Sequence, residues 1–306
     1  MKVLLIQVDG KWPNLALMKL AAWHKAQGDQ VYLDRGCDPE RVYIGCIFTK
    51  NRPKALGIAR MFPQSEVIIG GSGVNYEKLP DEIEHTCPDY ELFGIKYSMG
   101  YTSRGCFRKC PWCLVPRMYG DIHEHAHLDE FIRHDKVRLL DDNFLASSNW
   151  AEKLEDMGRR GTKVCFTQGL DIRLVDMEAA KLLSKVQYRE NHFQRRRLYF
   201  SWDLPEIEDK VIEGIDLLEK ADIPARQLMF YVLVGFNTSY DEDLHRIRTL
   251  AERGCLPYVM PYNDRKDSYY PHLERWVNRR MYEFIPWEKY DCGESQTWIQ
   301  KQETTA

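Results

Sequence analysis

Residues 2–9 (KVLLIQVD) form a continuous apolar run of strand length. The period then changes. Within residues 14–28, Leu17, Leu20, Ala21 and His24 recur at helical spacing and share one face. Asn14, directly after Pro13, offers an N-cap, and Gly28 offers a stop. Apolar runs return at residues 30–34, 41–48 and 66–71, with a helix expected over 53–61. Strands alternating with helices predict βαβ units on a parallel sheet.

From 74 to 97 the periodicity fades, and Pro80, Asp81, Pro88 and Asp89 mark a connection between two units. A second alternating series follows. Its strands are expected at 98–103, 136–142, 163–169, 197–203, 228–236 and 257–263, and its helices at 150–159, 176–185, 209–221 and 240–253. Six such repeats suit a partial barrel, open on one side, better than a flat sheet, although periodicity alone fits both. In either architecture chemistry gathers at the carboxyl ends of the strands. Those ends carry Asp141, Asp142, Asn143, Gln168, Asp171, Arg173, Asp203, Gly235 and Asn263. The tail beyond is rich in Tyr, Trp and Arg, with an amphipathic helix expected near 272–284 and a frayed end.

Composition narrows the class only slightly. Apolar residues at 44% and charged residues at 29% describe an ordinary globular chain with enough aliphatic content for a core. A formal charge of -3 creates no global field for polyanions, so nucleic-acid binding would need a local basic patch. Arg189 and the run Gln194 to Arg197 are the densest candidate, read either as a solvated loop or as a phosphate contact. No leader-like segment or membrane-length apolar stretch stands out, which places the chain in the cytoplasm with no membrane partner. In that reducing setting nine cysteines read as thiols, ligands or core residues rather than as disulfides.

Three of the nine are grouped. Cys106, Cys110 and Cys113, in YTSRGCFRKCPWCLVPR, have the spacing C-x3-C-x2-C directly after an expected strand. Soft thiolates select zinc or iron-sulfur, and a four-iron cluster held wholly by protein normally takes four cysteines. Three ligands would leave one iron open for substrate chemistry. A zinc site would need a fourth ligand, which His123, His125 or His127 could supply, giving a zinc-stabilised, non-catalytic nucleic-acid-binding protein as the rival reading. Cys37, Cys46, Cys87, Cys165, Cys255 and Cys292 show no paired spacing and read as small apolar fillers.

The motif, with Trp112 just before its last cysteine, resembles the signature of the radical SAM superfamily. That resemblance implies a 4Fe-4S cluster, S-adenosylmethionine chelated at the open iron, and reductive cleavage to a 5′-deoxyadenosyl radical that abstracts hydrogen from a substrate. It also implies an electron donor such as flavodoxin or ferredoxin. LLDDNF resembles the second-strand ending of superfamily members, which puts Asp142 and Asn143 near the methionyl amine or, alternatively, in helix capping. In QGLDIR, Arg173 could pair with the methionyl carboxylate, and Asp171 or Gln168 could meet ribose or substrate; equally, Asp171 and Arg173 could pair with each other. VLVGFN and PYVMPYN resemble the adenine-lining strands, which brings in Gly235 and Tyr262.

The first 75 residues resemble the Rossmann-like cobalamin-binding domain that precedes many radical SAM barrels, including cobalamin-dependent methyltransferases. Here Asp9, Gly10, Lys11, Trp12, Pro13 and Asn14 replace D-x-H-x-x-G, so the axial histidine is missing. The expectation is therefore an α/β chain: a Rossmann-like doubly wound domain at 1–75, a linker at 76–96, a partial (β/α)6 TIM-type barrel at 97–265 and a C-terminal extension at 266–306. Substrate and reaction outcome stay open, as does cobalamin.

Overall fold

The computed structural model describes residues 1–10, 12–36, 38–262 and 269–290; Cys37, Cys292 and Asn263 lie outside them. The chain is of the α/β class, with a Rossmann-like sheet followed by the strands of a partial barrel that does not close among the described residues. It divides into two compact units, Met1–Asp142 with Gly161–Val164, and Asn143–Arg160 with Cys165–Ala306.

The first unit begins with β1 (Lys2–Gln7), α1 (Leu15–Ala26), β2 (Gln30–Leu33), β3 (Arg41–Gly45), α2 (Arg52–Ala59) and β4 (Glu66–Gly70). The strands lie in the order β2-β1-β3-β4, all parallel. Side chains on successive strand residues point to opposite faces. Val3 and Leu5 accordingly pack with Leu17, Leu20 and Ala21 of α1, while Leu4 packs with Val42, Ile44 and Ala55 on the α2 side. Both faces are covered, which is why β1 reads as apolar throughout. Asn14 caps α1 as its position predicts, accepting from Leu17 N at 3.1 Å.

The expected linker is built into this unit. Its helix α3 (Asp81–Glu84) sends Ile83 into the α1 core, and Tyr90 donates from its hydroxyl to the carbonyls of Met99 and Phe131. Next come β5 (Ser98–Gly100), β6 (Ser103–Arg104), α4 (Val115–Met118), β7 (His123–Glu124), α5 (Leu128–Phe131), β8 (Lys136–Leu139) and β9 (Lys163–Phe166). β5 runs parallel to β8, while β6 and β7 form an antiparallel pair. The single strand expected over 98–103 is therefore broken after Gly100. The cause is local: the amide and hydroxyl groups of Thr102 and Ser103 are directed to the Asp141 carboxylate instead of continuing the ladder.

The second unit holds α6 (Trp150–Arg160), α7 (Met177–Lys185), β10 (Gln187–Tyr188), β11 (Leu198–Ser201), α8 (Glu208–Lys220), β12 (Leu228–Val234), α9 (Tyr240–Glu252), β13 (Leu256–Pro261) and α10 (Tyr269–Asn278). Strands β11, β12 and β13 are parallel neighbours. Along β12, Leu228, Phe230, Val232 and Val234 are buried while Met229, Tyr231 and Leu233 are half-buried, so the two faces have different surroundings. Asn278 takes the place of a further strand at β13: its amide accepts from Val259 N at 2.8 Å and donates to Val259 O at 3.0 Å. The C-terminal helix starts earlier than expected and stops at Asn278, because Arg280 adopts a left-handed φ of 59°.

Candidate functional site

The three grouped cysteines sit on a loop closed at its base. The β6–β7 pair forms the stem, and Cys106 N donates to Gly120 O at 3.1 Å just above it. Gly105 makes this closure possible: its φ is +82°, and a Cβ there would stand 2.3 Å from Asp121 O. Within the loop Cys113 N donates to Cys110 O at 3.0 Å, and Arg108 N points at Cys106 Sγ, 3.4 Å away. All three cysteines and Trp112 are half-buried, while Phe107 and Leu114 of the same loop are exposed.

Below the stem lies a buried charge cluster that the sequence reading did not find. Glu84 of α3 accepts from Lys19 of α1 (2.8 Å) and from Arg104 of β6 (2.6 Å). His125 Nε2 stands 3.3 Å from the same carboxylate. Burial works against ionisation of Glu84, but His125, Lys19 and Arg104 outweigh it and bring the carboxyl down to about 2. The Arg104 guanidinium also lies over the rings of Tyr101 (4.1 Å) and Tyr119 (4.8 Å), one before the loop and one at its far end. Asp142 behaves in the opposite way. It accepts from Gly105 N at 2.9 Å, yet burial dominates and pushes its carboxyl up to about 6. Its neighbour Asp141 is fully engaged by Thr102 and Ser103.

These contacts bear on which metal the loop could hold. Among the described residues no three His, Cys, Asp or Glu side chains converge as ligands of a single ion. Of the nearby histidines, His123 Nδ1 meets Asp121 O at 3.0 Å and His125 Nε2 faces the Glu84 carboxylate at 3.3 Å. A four-iron cluster makes a different demand, because each thiolate binds its own iron and the sulfurs need not meet at one point. Three thiolates are a donor set that a four-iron cluster can use.

In the second unit two of the expected strand-end residues pair with each other. Asp171 grips Arg173 through two bonds, Nε at 2.6 Å and Nη2 at 3.0 Å. Arg173 also lines a cavity of about 450 Å³ between residues 172–177 and α8, with Met177, Lys210 and Gly214. Gln168 is exposed, and Asn143 is buried ahead of a short turn in which Ala146 N donates to its carbonyl. Burial raises the carboxyl of Asp203. Gly235 has φ +74°, and a Cβ on it would stand 2.8 Å from the Tyr270 ring, so a side chain of α10 already uses the space this glycine leaves. Tyr262 packs edge-on against Phe236, with 4.8 Å between ring centroids.

No family model matches the chain, and no curated protein matches it. A solved structure does: the apo, selenomethionine-labelled cobalamin-dependent S-adenosylmethionine radical enzyme OxsB, with a TM-score of 0.56 and 14% identity. The match covers 96% of this chain but 56% of that one, so the chain spans about half its length. At this identity the likeness is one of fold, and it extends over both units.

A second structural node also escaped the sequence reading. Asp243 and Arg246 of α9 are both fully buried and bonded at 2.5 Å. Asp243 also accepts from Gly235 N (3.0 Å) and Thr238 Oγ1 (2.7 Å), while Arg246 donates to Trp202 O (2.7 Å) and Leu233 O (2.9 Å). The pair ties together the carboxyl ends of β11 and β12. Its signal was a charged i,i+3 pair among the apolar positions of a helix, a pattern that ordinarily marks a solvated face.

Proposed function

We propose that this chain is a radical SAM enzyme whose Cys106, Cys110 and Cys113 hold a 4Fe-4S cluster, with S-adenosylmethionine as the second cofactor. The observation that carries the reading is the C-x3-C-x2-C set on a loop pinned by Gly105 and stacked at its base by Arg104. The fold shared with an enzyme of that chemistry supports it. When bound, such a cluster supplies the electron that splits S-adenosylmethionine and yields a 5′-deoxyadenosyl radical for hydrogen abstraction. The chain's own part is positional: Asp142 and Arg104 fix the base of the loop, and half-burial of the cysteines limits water around them. We assign Asp142 and Asn143 to the methionyl amine, Gln168 to ribose or substrate, and Tyr262 to the adenine side. Arg173 is assigned to Asp171, since reaching a ligand carboxylate would break a two-bond pair.

A cobalamin-dependent version of the chemistry is suggested by the neighbour's name, but the residues here fit that group poorly. In a parallel sheet ligands bind where the strand order reverses, here between β1 and β3. Asp9 fills that position, accepting from Ile47 N (2.6 Å) and Asn51 Nδ2 (2.8 Å). The glycine turn after β4 packs on the chain itself, because a Cβ on Gly71 would stand 2.5 Å from Cys46 O. We therefore draw no step through a corrinoid.

Anaerobic reconstitution with iron and sulfide tests the cluster assignment. About four irons and four sulfides per chain with charge-transfer absorbance are expected. Stoichiometric zinc without that absorbance would instead support the non-catalytic binding protein.

A further inference from the structure

The loop between β10 and β11 carries the arginine run, and its geometry is unusually defined for an exposed segment. Glu190 N donates to Arg195 O at 3.0 Å, closing the turn. The Glu190 carboxylate accepts from His192 N (3.1 Å) and Gln194 N (3.0 Å), so the acidic group nearest in sequence to the arginines is occupied by backbone amides. Arg196 stacks on the Tyr188 ring at 4.1 Å. Arg197 donates to Arg226 O at 3.1 Å, and because Leu198 pairs with Leu228 these two arginines stand at the amino ends of adjacent strands. Arg280, in the turn after α10, is close enough for its charge to oppose that of Arg197, as does that of Arg195.

Three chain segments thus bring Arg195, Arg196, Arg197, Arg226 and Arg280 together on the amino-end side of β11 and β12. Arg280 is paired with Glu283, while no described carboxylate forms an ion pair with Arg195, Arg196, Arg197 or Arg226. Holding like charges together on a rigid surface is unfavourable unless a polyanion neutralises them. Four residues beyond Arg280 in the chain, Phe284 is 83% exposed. Arginine together with an exposed aromatic ring suits a phosphate backbone whose bases are unpaired and able to stack.

We infer that this arginine surface and Phe284 bind a single-stranded nucleic acid. The surface lies at the opposite end of β11 and β12 from the strand-end residues Asp203 and Gly235, so it would anchor the strand away from that rim. The inference does not depend on the radical SAM reading.

Anisotropy titrations of a labelled single-stranded oligonucleotide with the full chain, over a series of salt concentrations, test it. Arg195 and Arg226 are exposed and make no side-chain bond among the described residues, so Arg195→Ala/Arg226→Ala should leave the fold intact. Binding should weaken steeply with salt, and the double variant should lower the slope of log K against log salt by about 1.4. Phe284→Ala should weaken binding about fivefold or more without changing the slope. Arg60→Ala, an exposed cation of the first unit, should change neither. The inference is overturned by no binding at low salt, by an unchanged slope in the double variant, by duplex binding as tight as single-strand binding and indifferent to Phe284, or by binding of polyglutamate in place of the oligonucleotide.

Discussion

The cysteine loop of the first unit and the strand-end rim of the second use the same residue types in opposite ways. Around the loop, charged side chains serve the backbone and the rings at its base, and the three cysteines are half-buried. At the rim the charges are spent on one another or on strand ends, Asp171 on Arg173 and Asp243 on Arg246 and Gly235. A polar residue after a parallel strand is therefore not sufficient to mark a binding group. What distinguishes the loop is a base closed by Gly105, Asp142 and the stacked Arg104.

The contrast can be broken experimentally, and the largest effect is expected at the rim. Asp243→Ala leaves Arg246 buried without its partner and should cost about 3–5 kcal/mol in urea unfolding, with iron content after reconstitution unchanged in the folded fraction. A loss under 1 kcal/mol would show that the pair does not tie the strands. Glu84→Gln comes next. Because the Glu84 carboxyl is held near 2 rather than 4.5, it contributes on the order of 3 kcal/mol above pH 4.5, lost as pH falls toward 2. The variant should lack that acid limb in a stability-against-pH series.

Asp142 should show the reverse sign. Its carboxyl is raised to about 6, so its protonated form favours the fold below pH 4 and that contribution disappears as pH rises through 6. Asp142→Asn should be neutral near pH 4 and more stable than the parent by about 1–2 kcal/mol at pH 8, since the desolvated charge is gone while the Gly105 contact is partly kept. A variant destabilised at pH 8 would mean the carboxylate is better satisfied than its surroundings indicate. An effect of similar size is expected at Gly235. Gly235→Ala should cost about 1–3 kcal/mol through its positive φ and the Tyr270 ring, and adding Tyr270→Ala should recover only the steric part, measurable as a coupling in a double-mutant cycle.

Much of the fold was legible because burial imposes period. The α1 face through Leu17, Leu20 and His24, the Asn14 cap and the strands β1 to β4 follow directly from spacing. The break in the 98–103 strand was not legible, since it depends on Asp141 reaching Thr102 and Ser103 from far along the chain. The same holds for the site. Cysteine spacing is local and visible, whereas the Lys19–Glu84–Arg104 cluster joins three distant segments and has no local pattern. Gly235 shows the limit most clearly: its place at a strand end was legible, but the Tyr270 ring that approaches it was not.

The central claim concerns Cys106, Cys110 and Cys113, and product analysis under reducing conditions tests it most directly. Reconstituted protein mixed with S-adenosylmethionine and dithionite should release 5′-deoxyadenosine, and Cys110→Ala treated identically should release none. The account is contradicted if the parent, carrying its iron, yields no 5′-deoxyadenosine, or if Cys110→Ala yields as much as the parent.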